Sequence, residues 1–308
     1  MKTLLIGGRG QLGHDLAALL GYDAIVLDLP EFDVTDAGRV EAALREHRPR
    51  WVINCAAQTN VDRCEDEVAE AFAINAQGAR HVAQAAERVQ ATAVFISTDY
   101  VFGADAGRLL ACGESDVPGP VNVYGASKLA GEHLTLAYSS RALVVRTSGL
   151  YGHAGARGKG GNFVETMLRL AREKQPIRVV EDQYLSPTST VECAAKVLNL
   201  CQLGARGVVH VAASDYCSWF QFAREIFDHV GLRPSFSPIA SSEYPAKARR
   251  PAMSALRSER LPALCVDPCR NWQEMLYEYL ETRPCETVPR TPCGGAKTHG
   301  TMPVYGQQ

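Results

Sequence analysis

The chain has 308 residues, of which 46% are hydrophobic, and its 32 basic side chains nearly balance its 34 acidic ones. A folded chain of this size buries roughly three quarters of the surface that its unfolded form exposes, so a disordered or miniature protein is excluded for most of it. The formal charge of −2 provides no basic surface for nucleic acid or anionic lipid. No apolar run reaches the roughly 18 to 20 residues of a membrane span. We therefore expect a soluble, cytoplasmic protein with no nucleic-acid or membrane partner.

Short apolar runs alternate with amphipathic stretches through the first half of the chain. The runs are continuous, as in strands that are covered on both faces: TLLIG (3–7), AIVLD (24–28), WVINCAA (51–57), TAVFIS (92–97) and ALVVR (142–146). The stretches between them have helical spacing. This alternation predicts an α/β fold with a Rossmann-type, doubly wound parallel sheet over residues 1–150.

The second half of the chain has shorter helical patterns separated by glycine-rich and proline-rich loops. We expect residues 151–283 to form mainly a smaller substrate-binding lobe over the carboxyl edge of the sheet. Residues 284–308 are rich in proline and glycine without periodicity, which predicts a disordered tail. The ten cysteines lack zinc or redox spacing, which favours buried free thiols in a reducing compartment.

A glycine-rich turn, GGRGQLG, follows the first predicted strand and precedes a helix. Gly7 allows a tight turn, Gly10 allows backbone amides to approach a diphosphate, and Gly13 allows the helix to pack on the sheet. With Asp28 at the end of the next strand, the pattern predicts a dinucleotide site. Asp28 favours NADH, because it repels a 2′-phosphate, whereas Arg9 in the glycine turn favours NADPH. The choice of coenzyme stays open.

A tyrosine and a lysine stand four residues apart in VYGASKLAGE, so on a helix Tyr124 and Lys128 share a face. At about 4 Å and an effective dielectric near 20, an ammonium stabilises a phenolate by roughly 4 kcal/mol, or about three pKa units. The spacing therefore predicts a tyrosine that exchanges protons near neutrality. A predicted strand ending in Ser97, Thr98 and Asp99 places hydroxyls at the same sheet edge as the glycine turn.

Together these motifs resemble the extended short-chain dehydrogenase/reductases and, more narrowly, the dTDP-4-dehydrorhamnose reductase family. The resemblance runs in order from residue 1 to about residue 280. It rests on GGRGQLG (7–13), NCAAQTNVDRCE (54–65), STDYVFG (97–103), NVYGASKLAGE (122–132), RTSGLYG (146–152), GNF (161–163), EDQYLSPT (181–188) and ARRPAMSAL (248–256).

The resemblance implies NAD(P)H-dependent reduction of the C4 ketone of a dTDP-4-keto-6-deoxyhexose. Thr98 would bind the carbonyl oxygen, Tyr124 would donate the proton, and Lys128 would lower the tyrosine pKa and hold the nicotinamide ribose. Tyr124, Lys128 and a further set would contact the coenzyme: Gly7, Arg9, Gly10, Gln11, Leu12, Gly13, Asp28, Asp33, Val34, Ala56, Ala57 and Thr59. The substrate would contact Thr98, Asp99, Tyr100, Asn162, Phe163, Gln183, Arg249 and Arg250.

The sequence departs from related patterns at two positions. Tyr100 stands where the 4,6-dehydratases of this fold have a glutamate, which argues against dehydration. Gly149 stands where relatives commonly have a tryptophan, so the hexose stays open. Some relatives hold a metal at a dimer contact, but Asp15 has no evident second carboxylate and we expect no metal, while a homodimer stays open. The alternatives are a 4-ketoreductase that makes another deoxysugar, or a non-catalytic subunit resembling the regulatory subunit of methionine adenosyltransferase.

Overall fold

The computed structural model describes residues 2–154 and 161–283, so the tail predicted at residues 284–308 lies outside the described residues. The strands are β1 (Thr3–Ile6), β2 (Ala24–Leu27), β3 (Trp51–Asn54), β4 (Thr92–Thr98), β5 (Leu143–Thr147), β6 (Leu150–Tyr151), β7 (Ile177–Val180), β8 (Tyr184–Leu185), β9 (Thr188–Ser189), β10 (Gly207–His210), β11 (Cys217–Ser218) and β12 (Phe236–Ile239). The helices are α1 (Gln11–Leu20), α2 (Ala37–His47), α3 (Val61–Asp66), α4 (Val68–Phe72), α5 (Gly78–Val89), α6 (Val123–Tyr138), α7 (Phe163–Arg172), α8 (Thr190–Gln202), α9 (Trp219–His229), α10 (Arg260–Ala263) and α11 (Trp272–Thr282).

Six parallel strands form the central sheet in the order β10-β5-β4-β3-β1-β2. Every residue of β1 and β3 is buried, which explains why these sequences are continuously apolar rather than alternating. One face of the sheet packs on α1 and α8, and the other packs on α2 and α5. The predicted Rossmann-type α/β fold is confirmed.

The molecule has two layers: the first is the central sheet with the helices on its faces, and the second is built around the apolar core described next. The chain after residue 150 contributes to both layers. Helices α7, α9 and α11 enclose a second apolar core with the β7–β12 pair. However, α8 covers the central sheet and β10 adds its edge strand beside β5. Residue 150 therefore does not mark where the chain leaves the first layer, because a strand of the sheet is supplied from the later sequence.

Two further expectations concern the surface and the thiols. No helix among the described residues is long and apolar enough to cross a membrane. The described cysteines are free, and six of the eight are buried, but Cys265 is exposed. The expectation of burial is wrong at Cys265, which lies in a turn with a positive φ of 56° after the short helix α10.

Candidate active site

A cavity of about 670 Å³ lies between the two layers at the carboxyl ends of β1, β3, β4 and β5. Most of the predicted site residues line it: Gly7, Gly10, Gln11, Leu12, Gly13, Asp28, Asp33, Val34, Ala56, Ala57, Thr59, Thr98, Asp99, Tyr100, Tyr124, Lys128, Asn162 and Phe163. Four predicted residues are not in its wall: Arg9, Gln183, Arg249 and Arg250.

The glycine turn packs so closely, against the residues that follow β3 and within itself, that no side chain fits at Gly7 or Gly13. Gly7 has a left-handed φ of 72°, and a Cβ on it would lie 2.6 Å from the amide nitrogen of Ala56. A Cβ on Gly13 would lie 2.5 Å from Gly8 Cα. Gly10 is the N-cap of α1 and has no side chain that could cap the helix. The first backbone amides of α1, which belong to the cavity wall, therefore have no side-chain hydrogen-bond partner. This arrangement fits the diphosphate of a dinucleotide.

Asp28 fastens the glycine turn to the end of β2. Its carboxylate oxygens accept hydrogen bonds from the amides of Arg9 and Leu29, each at 2.8 Å. The Arg9 guanidinium donates to the Leu29 carbonyl at 3.2 Å and pairs with Glu31 at 3.0 Å. Asp28 lines the cavity, whereas Arg9 lies outside its wall and is paired with Glu31. Both Asp28 and Arg9 therefore lie at the glycine turn, where each can influence the choice between NADH and NADPH.

The catalytic candidates on α6 are positioned by the first turn of that helix. The Asn122 side chain caps it by accepting from the Gly125 amide at 2.8 Å. A Cβ on Gly125 would lie 2.1 Å from the carbonyl oxygen of Tyr100, so glycine allows α6 to press on the turn after β4. The Tyr124 and Tyr100 rings then meet edge to face, with centroids 5.8 Å apart. Tyr124 is thus held beside the end of the strand that carries Thr98.

Asp99 is a buried carboxyl held by hydroxyl groups. It accepts hydrogen bonds from Thr98 Oγ1 at 3.0 Å, Ser148 Oγ at 2.9 Å and Ser254 Oγ at 2.5 Å. Burial raises the pKa of Asp99 to about 6, although the three hydroxyls act in the opposite direction. The Thr98 hydroxyl therefore points its proton at Asp99 in this structure and must rotate to donate to a carbonyl.

The predicted coupling between Tyr124 and Lys128 is wrong for the protein without its coenzyme. Burial raises the pKa of Tyr124, and the opposing contribution comes from Thr98. Burial lowers the pKa of Lys128 to about 7, and its Nζ donates to the Ile96 carbonyl at 2.6 Å. The four-residue spacing correctly places both side chains in one cavity wall, but it ignores the desolvation that dominates both pKa values.

The second layer supplies an aromatic wall that the sequence analysis missed. Tyr151, Trp219 and Phe222 line the cavity beside Phe163, and the ring centroids of Phe163 and Trp219 lie 4.5 Å apart. The motif WFQF offers no signal for this role, because aromatic residues at helical spacing usually belong to a core. Indeed Trp219 and Phe222 also belong to the second apolar core.

Asn162 uses its side chain to hold this wall in place. Its Oδ1 accepts from the Glu165 amide at 3.0 Å and caps α7. Its Nδ2 donates to the Gly152 carbonyl at 2.9 Å and to Tyr279 Oη at 3.0 Å. Asn162 therefore fixes the start of the helix that presents Phe163, in addition to lining the cavity.

The remaining predicted substrate contacts lie behind or outside the cavity wall. Gln183 is buried and its Nε2 donates to Ser241 Oγ at 2.8 Å. The Arg250 side chain is only 4% exposed and donates to Asp62 Oδ1 at 2.9 Å. Arg249 is exposed, and its carbonyl accepts from Asn122. The motif match places all three residues near the boundary between the two layers. The side chains of Gln183 and Arg250, however, are used in the local hydrogen bonds just described.

Gly149 was singled out as a departure from related sequences, and Asp15 as one carboxylate of the metal site that some relatives hold. Gly149 lines the cavity with a left-handed φ of 53°, and a Cβ there would lie 2.6 Å from Leu185 Cδ1. A tryptophan at this position needs a different backbone and a displaced Leu185. Asp15 Oδ2 accepts from Thr190 Oγ1 at 2.5 Å. In residues 2–154 and 161–283, no group of three or more His, Cys, Asp or Glu side chains is placed to hold a metal ion.

The parallel sheet, the glycine turn and the Thr98, Tyr124 and Lys128 set define a Rossmann-type protein of the short-chain dehydrogenase/reductase class. The family described as RmlD substrate binding domain matches residues 1–284. The chain belongs to this family, as the sequence motifs predicted.

Individual relatives cover nearly the whole chain. The spore coat polysaccharide biosynthesis protein SpsK of Bacillus subtilis is 39% identical over 92% of this chain and 98% of its own length. A dTDP-4-dehydrorhamnose reductase of Mycobacterium tuberculosis is 38% identical over 89% of this chain and 91% of its own. The solved dTDP-4-dehydrorhamnose reductase of Bacillus anthracis, in complex with NADP, is 38% identical and covers 91% of this chain and 99% of its own, with a TM-score of 0.86.

Proposed function

We propose that the protein is an NAD(P)H-dependent reductase that converts the C4 ketone of dTDP-4-dehydro-L-rhamnose to the alcohol of dTDP-L-rhamnose. The observation that carries this proposal is the single cavity that brings Thr98, Tyr124 and Lys128 beside an uncapped glycine turn. The relatives named as dTDP-4-dehydrorhamnose reductases support the substrate class. The relative solved with NADP supports the class of coenzyme.

The reaction needs a hydride on the carbonyl carbon and a proton on its oxygen. A reduced nicotinamide coenzyme supplies the hydride when it is bound. The half-buried Tyr124, whose pKa desolvation raises above the ordinary 10, holds its proton at neutral pH and passes that proton to the oxygen as the carbon is reduced. Thr98 donates a hydrogen bond to the same oxygen once its proton turns away from Asp99. Once that proton has left, the ammonium of Lys128 in the same cavity wall would stabilise the phenolate, an influence that the pKa of the neutral Tyr124 does not show in the protein without its coenzyme.

The sugar nucleotide fits the aromatic side of the cavity. Phe163 and Trp219 form an apolar wall, and Gly149 lines the cavity against Leu185, where a Cβ would lie only 2.6 Å from Leu185 Cδ1. Arg249, which is exposed at the layer boundary, is the candidate for a contact with the diphosphate. Arg250 is committed to Asp62.

The decisive experiment generates dTDP-4-dehydro-L-rhamnose in place and follows oxidation of NADH and NADPH in separate reactions. We expect stoichiometric formation of dTDP-L-rhamnose, identified by NMR of the product. If the coenzyme is oxidised with a different dTDP-4-keto-6-deoxyhexose but not with this one, the proposed substrate is contradicted. The result then favours a 4-ketoreductase that makes another deoxysugar, the alternative that Gly149 suggests.

The non-catalytic alternative makes a different prediction. A regulatory subunit binds the coenzyme without turnover and copurifies with a transferase. The cavity argues against it, because Thr98 and Tyr124 are held at the site where a pure binding protein needs no proton donor. We also propose a cytoplasmic location and a homodimer, which cell fractionation and sedimentation analysis test.

A further inference from the structure

Glu132 is a buried carboxylate close to the catalytic candidates that does not line the cavity. It lies on α6, one turn beyond Lys128, and is 1% exposed. Arg146 donates to it in a forked pair, from Nε to Oε1 at 2.9 Å and from Nη2 to Oε2 at 2.7 Å. Ser97 Oγ donates to Oε1 at 2.5 Å. One side chain thus joins α6 to both β4 and β5.

This junction lies one residue before the end of β4. Ser97 pairs with Arg146 in the register of the sheet, and the next pair is Thr98 with Thr147. Helix α6 is pressed onto this region, since a Cβ on Gly131 would lie 2.7 Å from the Phe95 ring. A change in the Glu132 contacts therefore moves Thr98 relative to the helix that carries Tyr124 and Lys128.

Glu132 also acts electrostatically on Lys128. Burial lowers the pKa of Lys128, and Glu132 is the largest influence in the opposite direction. The Lys128 Nζ has the Ile96 carbonyl at 2.6 Å and the centroid of the Phe95 ring at 4.0 Å as further partners. Neither partner carries a formal charge, so Glu132 provides the anionic charge that favours an ammonium here.

Three further titratable groups lie around Glu132 and Lys128, and each is uncharged near neutral pH: His210, Cys55 and Tyr124. His210 on β10 meets Arg146 at 3.4 Å, and its Nδ1 lies 3.0 Å from the Arg257 carbonyl, so Nε2 is the acceptor of a neutral ring. Burial lowers the pKa of His210. Burial raises the pKa of Cys55, across the cavity from Lys128, to about 12, and that of Tyr124 is raised as well. Lys128 has a pKa lowered to about 7, while that of Asp99 in the same cavity wall is raised to about 6, so the Lys128 titration is the more alkaline of the two.

We propose that Glu132 is a positioning residue for the reductase reaction: it ties the end of β4 to the catalytic helix and keeps Lys128 in its ammonium form. This inference deepens the proposed function and rests on it. A merely structural ion pair would stabilise the fold without changing how activity depends on pH.

The test is the pH profile of kcat for Glu132→Gln, an isosteric change that removes the charge and keeps one acceptor oxygen for Ser97 and Arg146 Nε, while Arg146 Nη2 loses its acceptor. The ammonium form of Lys128 is the active one, so wild-type activity falls as pH rises. We expect the midpoint of this alkaline limb to move down by about one pH unit. Activity then drops about tenfold at pH 8 but only about twofold at pH 6. An equal loss at every pH overturns the proposal.

A matched control separates the charge effect from general destabilisation. Glu192 on α8 is a carboxylate only 12% exposed and is paired with Arg270 at 3.0 Å, outside the cavity wall. Glu192→Gln should leave the alkaline limb where it is in the wild type. If Glu132→Gln fails to fold, the double variant Glu132→Leu with Arg146→Met replaces the buried pair by apolar side chains and should show the same displaced limb.

A second measurement does not depend on turnover. NMR of protein labelled with ¹³C at the lysine ε carbon follows the Lys128 titration in the absence of coenzyme, with Lys128→Met assigning the signal. We expect Glu132→Gln to lower its midpoint, and an unchanged midpoint contradicts the charge role. If the wild type titrates as expected but reduces no sugar nucleotide, the proposed function fails while the effect of Glu132 on Lys128 stands.

Discussion

Tyr124 is the candidate proton donor of the site. A phenol is neutral near pH 7 at its ordinary pKa of 10, and desolvation raises the pKa of Tyr124 further. We expect Tyr124→Phe to lower kcat by at least about 100-fold, because the alkoxide loses its general acid. Coenzyme affinity, measured by fluorescence titration, should be unchanged because the ring remains. Near-normal turnover would remove Tyr124 from this role.

Coenzyme preference depends on the balance between Asp28 and Arg9. We expect Asp28→Ala to raise the ratio of kcat/KM for NADPH to that for NADH, since a carboxylate no longer repels a 2′-phosphate. Glu31→Gln should shift the ratio the same way by freeing the Arg9 guanidinium, which now pairs with Glu31 at 3.0 Å. Parallel kinetics with the two coenzymes measure both ratios. Unchanged ratios in both variants place the ribose elsewhere.

Asp99 makes the stability of the protein depend on pH in the direction opposite to a salt-bridged carboxylate. Burial raises its pKa from the ordinary 3.8 to about 6, so its neutral form favours folding. This stabilisation is present below about pH 4 and is lost as pH rises through 6. We expect the free energy of unfolding of wild type, relative to Asp99→Asn, to fall by up to about 3 kcal/mol between pH 4 and pH 7. Urea denaturation at a series of pH values measures it, and a constant difference contradicts the raised pKa.

Single residues could be predicted from the sequence where backbone geometry dictates the residue type. The glycines at 7 and 13 occupy positions that admit no Cβ, and Tyr124 and Lys128 share a helix face. The pKa values were mispredicted, because desolvation depends on everything packed around a group and the spacing reports only one neighbour. Trp219 was missed for a related reason, since only the folded second layer brings it to the cavity.

At the scale of elements, the contact between α6 and the turn after β4 sets the geometry of the site. A Cβ on Gly125 would lie 2.1 Å from a backbone oxygen, which has no way to yield except by moving the helix. We expect Gly125→Ala to lower the free energy of unfolding by about 1 to 3 kcal/mol and to reduce kcat by displacing Tyr124. Thermal denaturation and kinetics measure the two effects.

The matched control is another glycine within a helix. Gly38 on α2 is exposed, and its Cβ would meet only the Asp36 side chain, at 3.3 Å. Gly38→Ala should be neutral or stabilising by up to about 1 kcal/mol, because alanine is the better helix former. If both substitutions change the free energy of unfolding equally, the close approach of α6 to Tyr100 is not the cause of the destabilisation.

The order of elements followed from apolar periodicity, but their assembly did not. Strand β10 joins the edge of the sheet from beyond residue 200, and its four residues resemble any short apolar run. Between α4 and α5, residues 73–77 form one turn of π-helix whose Asn75 side chain exchanges two hydrogen bonds with the Gln58 backbone, at 2.9 and 3.1 Å. Such a turn depends on a distant partner, which periodicity does not encode.

At the scale of the whole molecule, one loop from the later part of the chain is fastened to a helix of the first half. The loop at residues 247–250 packs against α3, where Asp62 accepts from the Ala248 amide at 2.8 Å and from Arg250 at 2.9 Å. Lys247 pairs with Asp66 beside it. These contacts hold the pKa of Asp62 below its usual range, although partial burial acts in the opposite direction. The contribution of Asp62 to stability is therefore present above about pH 4 and is lost as pH falls.

The buried partner makes this fastening testable. The Arg250 side chain is 4% exposed whereas that of Asp62 is 40% exposed, so Asp62→Asn leaves a buried guanidinium without its countercharge. We expect a loss of about 1 to 3 kcal/mol in the free energy of unfolding. Arg250→Met should cost less in the Asp62→Asn background than in the wild type, because the stranded charge is gone. A double-mutant cycle by urea denaturation measures the coupling. Additive losses would mean that Asp62 and Arg250 do not stabilise the fold as a pair.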